Sequence, residues 1–337
     1  MIPYSSKGYL SPQAYQLHNH VCVIPCGGLI GNTTVQWNED QLKPYAKYMV
    51  NGEAKDDMFQ GFIFNGIQMR ENHYIYPLFV GFGQPSDRKD WTLWARNLFM
   101  KSVNLNALAA AAGGLKRDVW VSLPYPHPFQ KSFGFVNKRK LNFQREDDRL
   151  EAIKWWMTYF LKLWTKNDHL HEILNLRGFL WQREAIDAND EPLVKRVNEY
   201  IHSQQYLSMW LPNYGSYGVL EWDKIGFDIT VANTNYTGNT SYDYNWIIHA
   251  SMFSAYYHTG LQMIWGKGLI YSDQHHLDYW NLGLPENSDY MKESFLIFQF
   301  PNQRLDLLQQ TDSLNYERLY SFIKGSYKKV NYPGILY

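Results

Sequence analysis

Cysteine is almost missing: Cys22 and Cys26 are the only two in 337 residues, which excludes a disulfide-stapled scaffold and a thiolate-rich zinc module. Both lie in one apolar run, residues 21–26, that reads as a strand. Four residues at about 3.3 Å each place them roughly 13 Å apart, beyond disulfide reach, so two buried, inert thiols are expected. Charge is also scarce. Charged residues make up 19% of the chain, and 32 Lys and Arg are balanced by 32 Asp and Glu. Zero net charge removes the electrostatic footprint of a general nucleic-acid binder or a polybasic membrane protein. No stretch approaches the roughly 18 uncharged apolar residues that span a bilayer, so no membrane partner is expected. The first 17 residues have neither a basic n-region nor an apolar h-region. A cytoplasmic location, and an extracellular or cell-surface one after loss of a leader, both stay open. Internal repeats, heptads and linkers rich in Pro, Gly or Ser are missing too, which favours one domain over residues 1–337, with an N-terminal strap at 1–17 and a C-terminal helix and tail at 312–337.

What the chain does have is aromatic surface: 26 Tyr, 18 Phe and 13 Trp, 17% of all residues, within a 45% hydrophobic total. That is enough to build a large core. Aromatics in such numbers either fill that core or present flat apolar faces to ligands such as sugar rings.

Short β-favouring runs alternate with amphipathic stretches. The runs are 21–26, 59–64, 119–123, 176–181, 207–211, 227–232, 261–265 and 295–298. The pattern predicts a helix opening near Asn38 or Glu39 and reaching Met49, and one long helix over about 90–112. It also predicts a helix with Leu150, Ile153, Met157, Phe160, Leu161 and Trp164 on one face, a helix carrying Leu193, Val197 and Ile201, and a last helix near 316–322. Eight runs separated mainly by helices predict an α/β fold, a single (β/α)8 barrel, with an open doubly wound sheet as the competitor. Long loops are expected after strands two and three, bearing Arg70, Tyr74, Tyr76, Tyr125, His127 and Phe129. In such a barrel the chemistry sits just past the strand ends.

The most informative segment is 176–184, an apolar strand delivering Trp181 and then Glu184. A stacking surface beside a carboxyl group is the pairing that general-acid cleavage of a glycosidic bond requires. The competing role for Glu184 is a surface carboxylate paired with Arg183 or Lys195. Asp228 is a second carboxylate in an apolar context. It is expected either to serve catalysis or to pin a neighbouring loop, and its place at a strand start favours pinning.

Gly178-Phe179-Leu180-Trp181 with Glu184, then His202-Ser203, Trp210-Leu211-Pro212-Asn213-Tyr214, Gly218, Trp222 with Gly226-Phe227-Asp228, Asn235-Tyr236 and the segment 316–327 run in an order that resembles a bacterial family catalogued as domain of unknown function 4855. Met58-Phe59, Gly61-Phe62, Val121 and Leu123-Pro124-Tyr125-Pro126 agree with the same family. The resemblance covers roughly 300 residues and implies a glycoside-hydrolase-like barrel, often secreted or on the cell surface. It places Glu184 at the strand-four acid/base position, and Asp228 and Tyr236 at the Gly-Phe-Asp and Asn-Tyr positions. One departure stands out. Family members present glutamates after the strand-seven glycine, whereas this chain reads Gly260-Leu261-Gln262-Met263-Ile264-Trp265-Gly266-Lys267. Both retaining and inverting hydrolysis need a second carboxyl group; Asp273 is the nearest replacement in sequence, with Asp187 and Glu221 behind it.

Other motifs carry little. The pairs His18 and His20, His169 and His171, and His275 and His276 have no matched third ligand, and no metal is expected. Gly27, Gly28 and Gly31 lack the order of a dinucleotide-binding turn and have no Walker lysine after them, and no cofactor is expected. Asn32, Asn235 and Asn239 match the Asn-x-Ser/Thr pattern, which is common by chance. The expected function is hydrolysis of a poly- or oligosaccharide, with Glu184 as acid and Asp273 or Asp228 opposing it. Arg70, Tyr125, Trp181, Trp210, Tyr214, Asn235, Tyr236 and Trp265 would line a carbohydrate groove. The alternatives are a carbohydrate-binding barrel that has lost catalysis and a structural or assembly protein. The sequence leaves the sugar, the linkage and the oligomeric state open.

Overall fold

The computed structural model describes residues 7–30, 33–34, 36–236, 244–266, 275–301 and 303–331. Eight parallel strands close into a barrel: β1 Val21–Cys26, β2 Gly61–Gly66, β3 Arg117–Ser122, β4 Leu174–Trp181, β5 Leu207–Trp210, β6 Ile229–Asn233, β7 Gly260–Ile264 and β8 Leu296–Gln299. β8 closes the ring by pairing with β1, Val21 opposite Ile297. The helices packed around it are α1 Glu39–Ala46, α2 Arg88–Leu98, α3 Leu105–Ala112, α4 Glu146–Lys166, α5 Glu191–Ser203, α6 Asn245–Tyr257, α7 His275–Leu282, α8 Tyr290–Glu293, α9 Leu305–Thr311 and α10 Ser313–Ile323. The architecture is the (β/α)8 barrel that the alternating pattern predicts.

Strand alternation sorts the side chains into two cores. Val23, Ile63, Trp120, Leu180, Met209, Val231 and Ile297 fill the barrel interior, joined by Leu10 and Leu17 of the N-terminal strap. The intervening residues, among them Cys22, Ile24, Phe62, Phe64, Val121, Phe179, Trp210 and Phe298, belong to the larger core between sheet and helices. The strap is bonded across the N-terminal end of the barrel: Leu10 N–H donates to the Thr259 carbonyl at 3.1 Å, and Phe295 N–H donates to the Leu10 carbonyl at 2.7 Å. Gly178 is required by this interior. A Cβ there would lie 1.8 Å from the Leu207 carbonyl oxygen and 2.8 Å from the Trp120 ring. Cys22 and Cys26 are buried free thiols, and burial pushes both pKa values up.

Two helix expectations differ from the structure. Met49 lies in a hairpin, Lys47–Val50 with Glu53–Asp57. Its turn is Asn51-Gly52, both at positive φ, a pair that favours two-residue hairpin turns. The helix expected over 90–112 is two, because Ser102 and Asn104 adopt positive φ between α2 and α3, and Asn104 accepts the Trp37 N–H through its side chain at 3.2 Å. Residues 67–87 after β2 and 123–145 after β3 form the two long loops. The first carries a helical turn at Pro77–Phe82, the second a hairpin of Gly134–Val136 with Arg139–Leu141.

Candidate functional site

Carrying the inward alternation to the C-terminal ends of the strands replaces aliphatic side chains with carboxamides: Asn65 after Ile63, Gln182 after Leu180, Gln299 after Ile297, with Gln262 on β7. These four line a narrow, largely enclosed cavity together with Val23, Tyr76, Leu180, Trp181, Glu184 and Leu211. The amides are mutually engaged. Gln299 donates to Gln262, and Gln262 Nε2 donates to the Val231 carbonyl at 2.6 Å. Gln182 Nε2 reaches Asn65 Oδ1 at 2.8 Å and the Gly66 carbonyl at 2.6 Å.

Glu184 continues the same parity, Leu180, Gln182, Glu184, two residues beyond the amide layer. Tyr76, from the β2 loop, donates its hydroxyl to Glu184 Oε1 at 2.5 Å. The backbone around it is held from the β5 loop: Asn213 N–H and Ser216 Oγ both donate to the Glu184 carbonyl, at 3.2 and 2.9 Å. Burial pushes the carboxyl above the usual Glu value, while hydrogen bonds from Tyr76 and Asn213 pull it back in part. The net rise favours the protonated acid. Burial also raises Tyr76, reinforced by the Glu184 charge, which keeps the phenol a donor. Three buried polar atoms here have no partner: Trp181 Nε1, Gln182 Oε1 and Asn213 Oδ1. Buried polar groups are nearly always hydrogen-bonded in folded proteins, and an indole N–H with two amide oxygens beside a cavity is capacity to bind a polar ligand.

Of the side chains expected at the site, Glu184 and Trp181 line this cavity. Tyr125 stands behind it, edge-on to Trp181 at 5.7 Å. Its hydroxyl donates to Asp190 at 2.6 Å, and Asp190 also holds Arg149 at 2.6 Å and Arg183. Arg70 lies on the same loop as Tyr76 but is bound to Asp90 at 2.5 and 2.7 Å and to Asp87 at 2.8 Å. Trp210 faces the helices, stacked on Phe227 at 5.3 Å, and its Nε1 donates to the Arg183 carbonyl at 2.7 Å. Trp265 stacks on His276 at 4.4 Å. Tyr236 donates to Asp278 at 2.5 Å. Tyr214 packs edge-on against Trp246 and Phe253, and Asn235 is an exposed residue at φ 57° whose N–H donates to the Asn233 side chain. Asp228 sits at the opposite end of the barrel from Glu184, where it accepts from Ser208 N–H at 2.7 Å, from Ser208 Oγ at 3.1 Å and from His202 at 2.8 Å. Asp273 lies outside the described residues. Among those described, Glu184 is the one carboxylate lining the cavity.

Composition and motif spacing do not reveal Tyr76 as Glu184's partner, nor Asn65 and Gln299 as part of the site. Strand parity is the signal for Asn65 and Gln299, each two residues past an apolar interior residue, whereas Tyr76, on the β2 loop, carries no such signal. A separate group, His73, Asp87 and Asp90, brings three donor atoms within 4.8 Å of one another. Arg70 occupies both carboxylates, however, and Asp90 also accepts the Asp87 N–H at 2.8 Å, so the group is a hydrogen-bonded cap on α2.

Fold and cavity together define a (β/α)8 barrel with a polar pocket at the C-terminal mouth, where barrels of this kind carry their chemistry. The chain belongs to the family described as Domain of unknown function (DUF4855), whose model matches residues 26–313. No curated protein matches the chain. Solved structures similar to it include the YdjI aldolase from Escherichia coli K12, with TM-score 0.37 and 11% identity over 94% of this chain and 90% of that one. A proposed lyase/mutase from Burkholderia cenocepacia J2315 has TM-score 0.36 and 11% identity over the same shares. Likeness at that level bears on no chemistry, and the fold class rests on the closed eight-stranded sheet itself. No described helix is long and apolar enough to cross a membrane.

Proposed function

We propose that the mouth of the cavity, over Glu184, binds a neutral, polyhydroxylated ring and that Glu184 donates a proton to the departing oxygen of a glycosidic bond. The observation that carries this is the position of Glu184: a half-buried carboxyl whose pKa is raised by burial, clamped by Tyr76, above a floor of carboxamides and beside Trp181. Amides suit hydroxyl groups because each offers both a donor and an acceptor. The Trp181 indole, buried against Tyr125 in the wall, adds an unpaired N–H.

A second role, glycan binding without cleavage, is favoured by one observation. Gln262 and Gln299 occupy the β7 and β8 positions of the cavity, where a second carboxyl group would be required for hydrolysis. Asp273 stays a proposal for that opposing charge. A glycan array followed by a reducing-end assay on the hits separates the two. Release of reducing ends by the parent chain and none by Glu184→Gln supports hydrolysis. Saturable binding with no product supports the silent barrel. Equal cleavage by both removes Glu184 from the acid role.

A further inference from the structure

The exposed large apolar side chains are unevenly distributed. Among the described residues, the three most exposed are Tyr217 at 78%, Phe82 at 76% and Phe129 at 75%. All three are aromatic, and they come from the loops after β5, β2 and β3, with β2 next to β3 and β5 on the far side of β4, the strand that carries Glu184. The other exposed aromatics, Phe79 and Phe135, belong to the same β2 and β3 loops, which with the β5 loop also expose Leu78 and Leu220, whereas the exposed Met252, Leu307 and Leu314 on the outer helices are all non-aromatic. Aliphatic side chains scattered on helices are ordinary surface. Aromatic rings gathered at one face are not explained by that rule.

Each ring connects to the cavity. From Tyr76, bonded to Glu184, the Phe79 ring is 5.4 Å away and the Phe82 ring a further 6.4 Å. From Trp181 in the cavity wall, contacts run through Tyr125 at 5.7 Å and His127 at 5.6 Å to Phe129 at 4.7 Å. Tyr217 follows Ser216, whose hydroxyl holds the Glu184 carbonyl, and its own carbonyl accepts the Ile186 N–H at 3.0 Å. The β2 and β3 loops form one wall, because Gln130 Nε2 donates to the Pro85 and Ser86 carbonyls at 3.1 and 3.2 Å. The cavity itself has room for little more than a water molecule, so a ring-sized ligand must lie over its mouth and along this rim.

We infer that Phe82, Phe129 and Tyr217 form an outer platform that stacks successive rings of a glycan chain, which makes the preferred ligand a polymer and not a mono- or disaccharide. This rests on the carbohydrate assignment of the cavity. Flat rings with apolar C–H faces stack on exposed aromatic side chains, and the three most exposed large apolar side chains at this mouth are all aromatic.

The test uses the triple variant Phe82→Ala/Phe129→Ala/Tyr217→Ala, with Phe79 kept so that Tyr76 stays supported. Retention is measured in native gels cast with arabinoxylan, galactomannan, mixed-linkage β-glucan or pectic galactan, and trisaccharides cut from the retaining polymer are titrated calorimetrically. Thermal melts of parent and variant should coincide, because all three side chains are solvent-exposed. The triple variant should bind the polymer at least about tenfold more weakly and the trisaccharide within about twofold of the parent. Equal retention of parent and triple variant overturns the platform and leaves the cavity assignment standing. So does a parent that sediments as an oligomer which the variant splits, since the rim is then a self-interface. A parent that binds neither polymer nor trisaccharide overturns the carbohydrate assignment, and the platform with it.

Discussion

The Tyr76 hydroxyl donates to the Glu184 carboxylate at 2.5 Å across 108 positions of sequence, joining the β2 loop to the end of β4. The bond does two things at once. It fixes the carboxyl rotamer against the cavity wall, and it supplies one of the two hydrogen bonds that oppose the upward push of burial on the Glu184 pKa.

Replacing Glu184 with Gln keeps the shape and removes the proton. Turnover of the sugar polymer that the parent cleaves should fall by at least about a hundredfold, with affinity nearly unchanged. In the parent, activity should decline as pH rises through the raised Glu184 pKa, because the acid form is the working one. Initial rates across pH, beside a binding titration of the variant, check both points.

Tyr76→Phe removes a bond that lowers the Glu184 pKa, so that pKa should climb further. The alkaline limb of the pH–rate profile should therefore move to higher pH, while the maximal rate drops through looser positioning of the acid. The cost in stability should be about 1 kcal/mol, the usual value of one hydrogen bond. A variant whose melting point drops but whose pH profile stays put would show that Tyr76 is structural only.

Gln262→Glu probes the amide layer. Gln262 donates to the Val231 carbonyl at 2.6 Å and accepts from Gln299, and an ionised carboxylate cannot make the first bond. The substitution should cost about 1–3 kcal/mol. Burial would raise the new group's pKa above its unfolded value near 4.3. The loss should therefore be small in acid and grow as pH rises, which thermal melts at acid and alkaline pH would reveal.

Asp190 anchors the wall behind Trp181. Burial pushes its carboxyl up, but the Arg149 charge and hydrogen bonds from Tyr125, Arg149 and Arg183 outweigh that and hold it below the ordinary carboxylate value. A depressed folded pKa contributes stability that is complete above the unfolded value near 3.9 and is lost as pH falls through the folded one. Asp190→Asn should cost about 3 kcal/mol at neutral pH by leaving Arg149 buried without its counter-charge. It should also flatten the acid limb of the stability curve in chemical denaturation run across pH.

The strand count was legible because each barrel strand is a short apolar run closed by polar or proline residues, and α4 was legible because its stripe repeats at 3.6 residues. The hairpin at 47–57 was equally visible in Asn51-Gly52, but Leu42, Tyr45 and Met49 also fit a helical spacing, so the competing period concealed it. Trp210, Trp265 and Tyr236 illustrate a harder limit. Each ends a strand or opens the loop after one, as a sugar platform would, yet their contacts are with Phe227, His276 and Asp278. A ring beside a strand end has the same neighbours in sequence whether it points into the mouth or toward the helices.

By itself, then, the sequence determined the eight-fold alternation, the inert pair of thiols, the balanced charge and the presence of a carboxyl group after the fourth strand, because these depend on residue type and local period. The tertiary structure alone decided that Asn65, Gln182, Gln262 and Gln299 share one floor and that Tyr76 grips Glu184. Barrel closure brings together residues more than a hundred positions apart, and the two-residue phase of each strand, set by how Trp120 and its neighbours pack the interior, selects which side chains look inward.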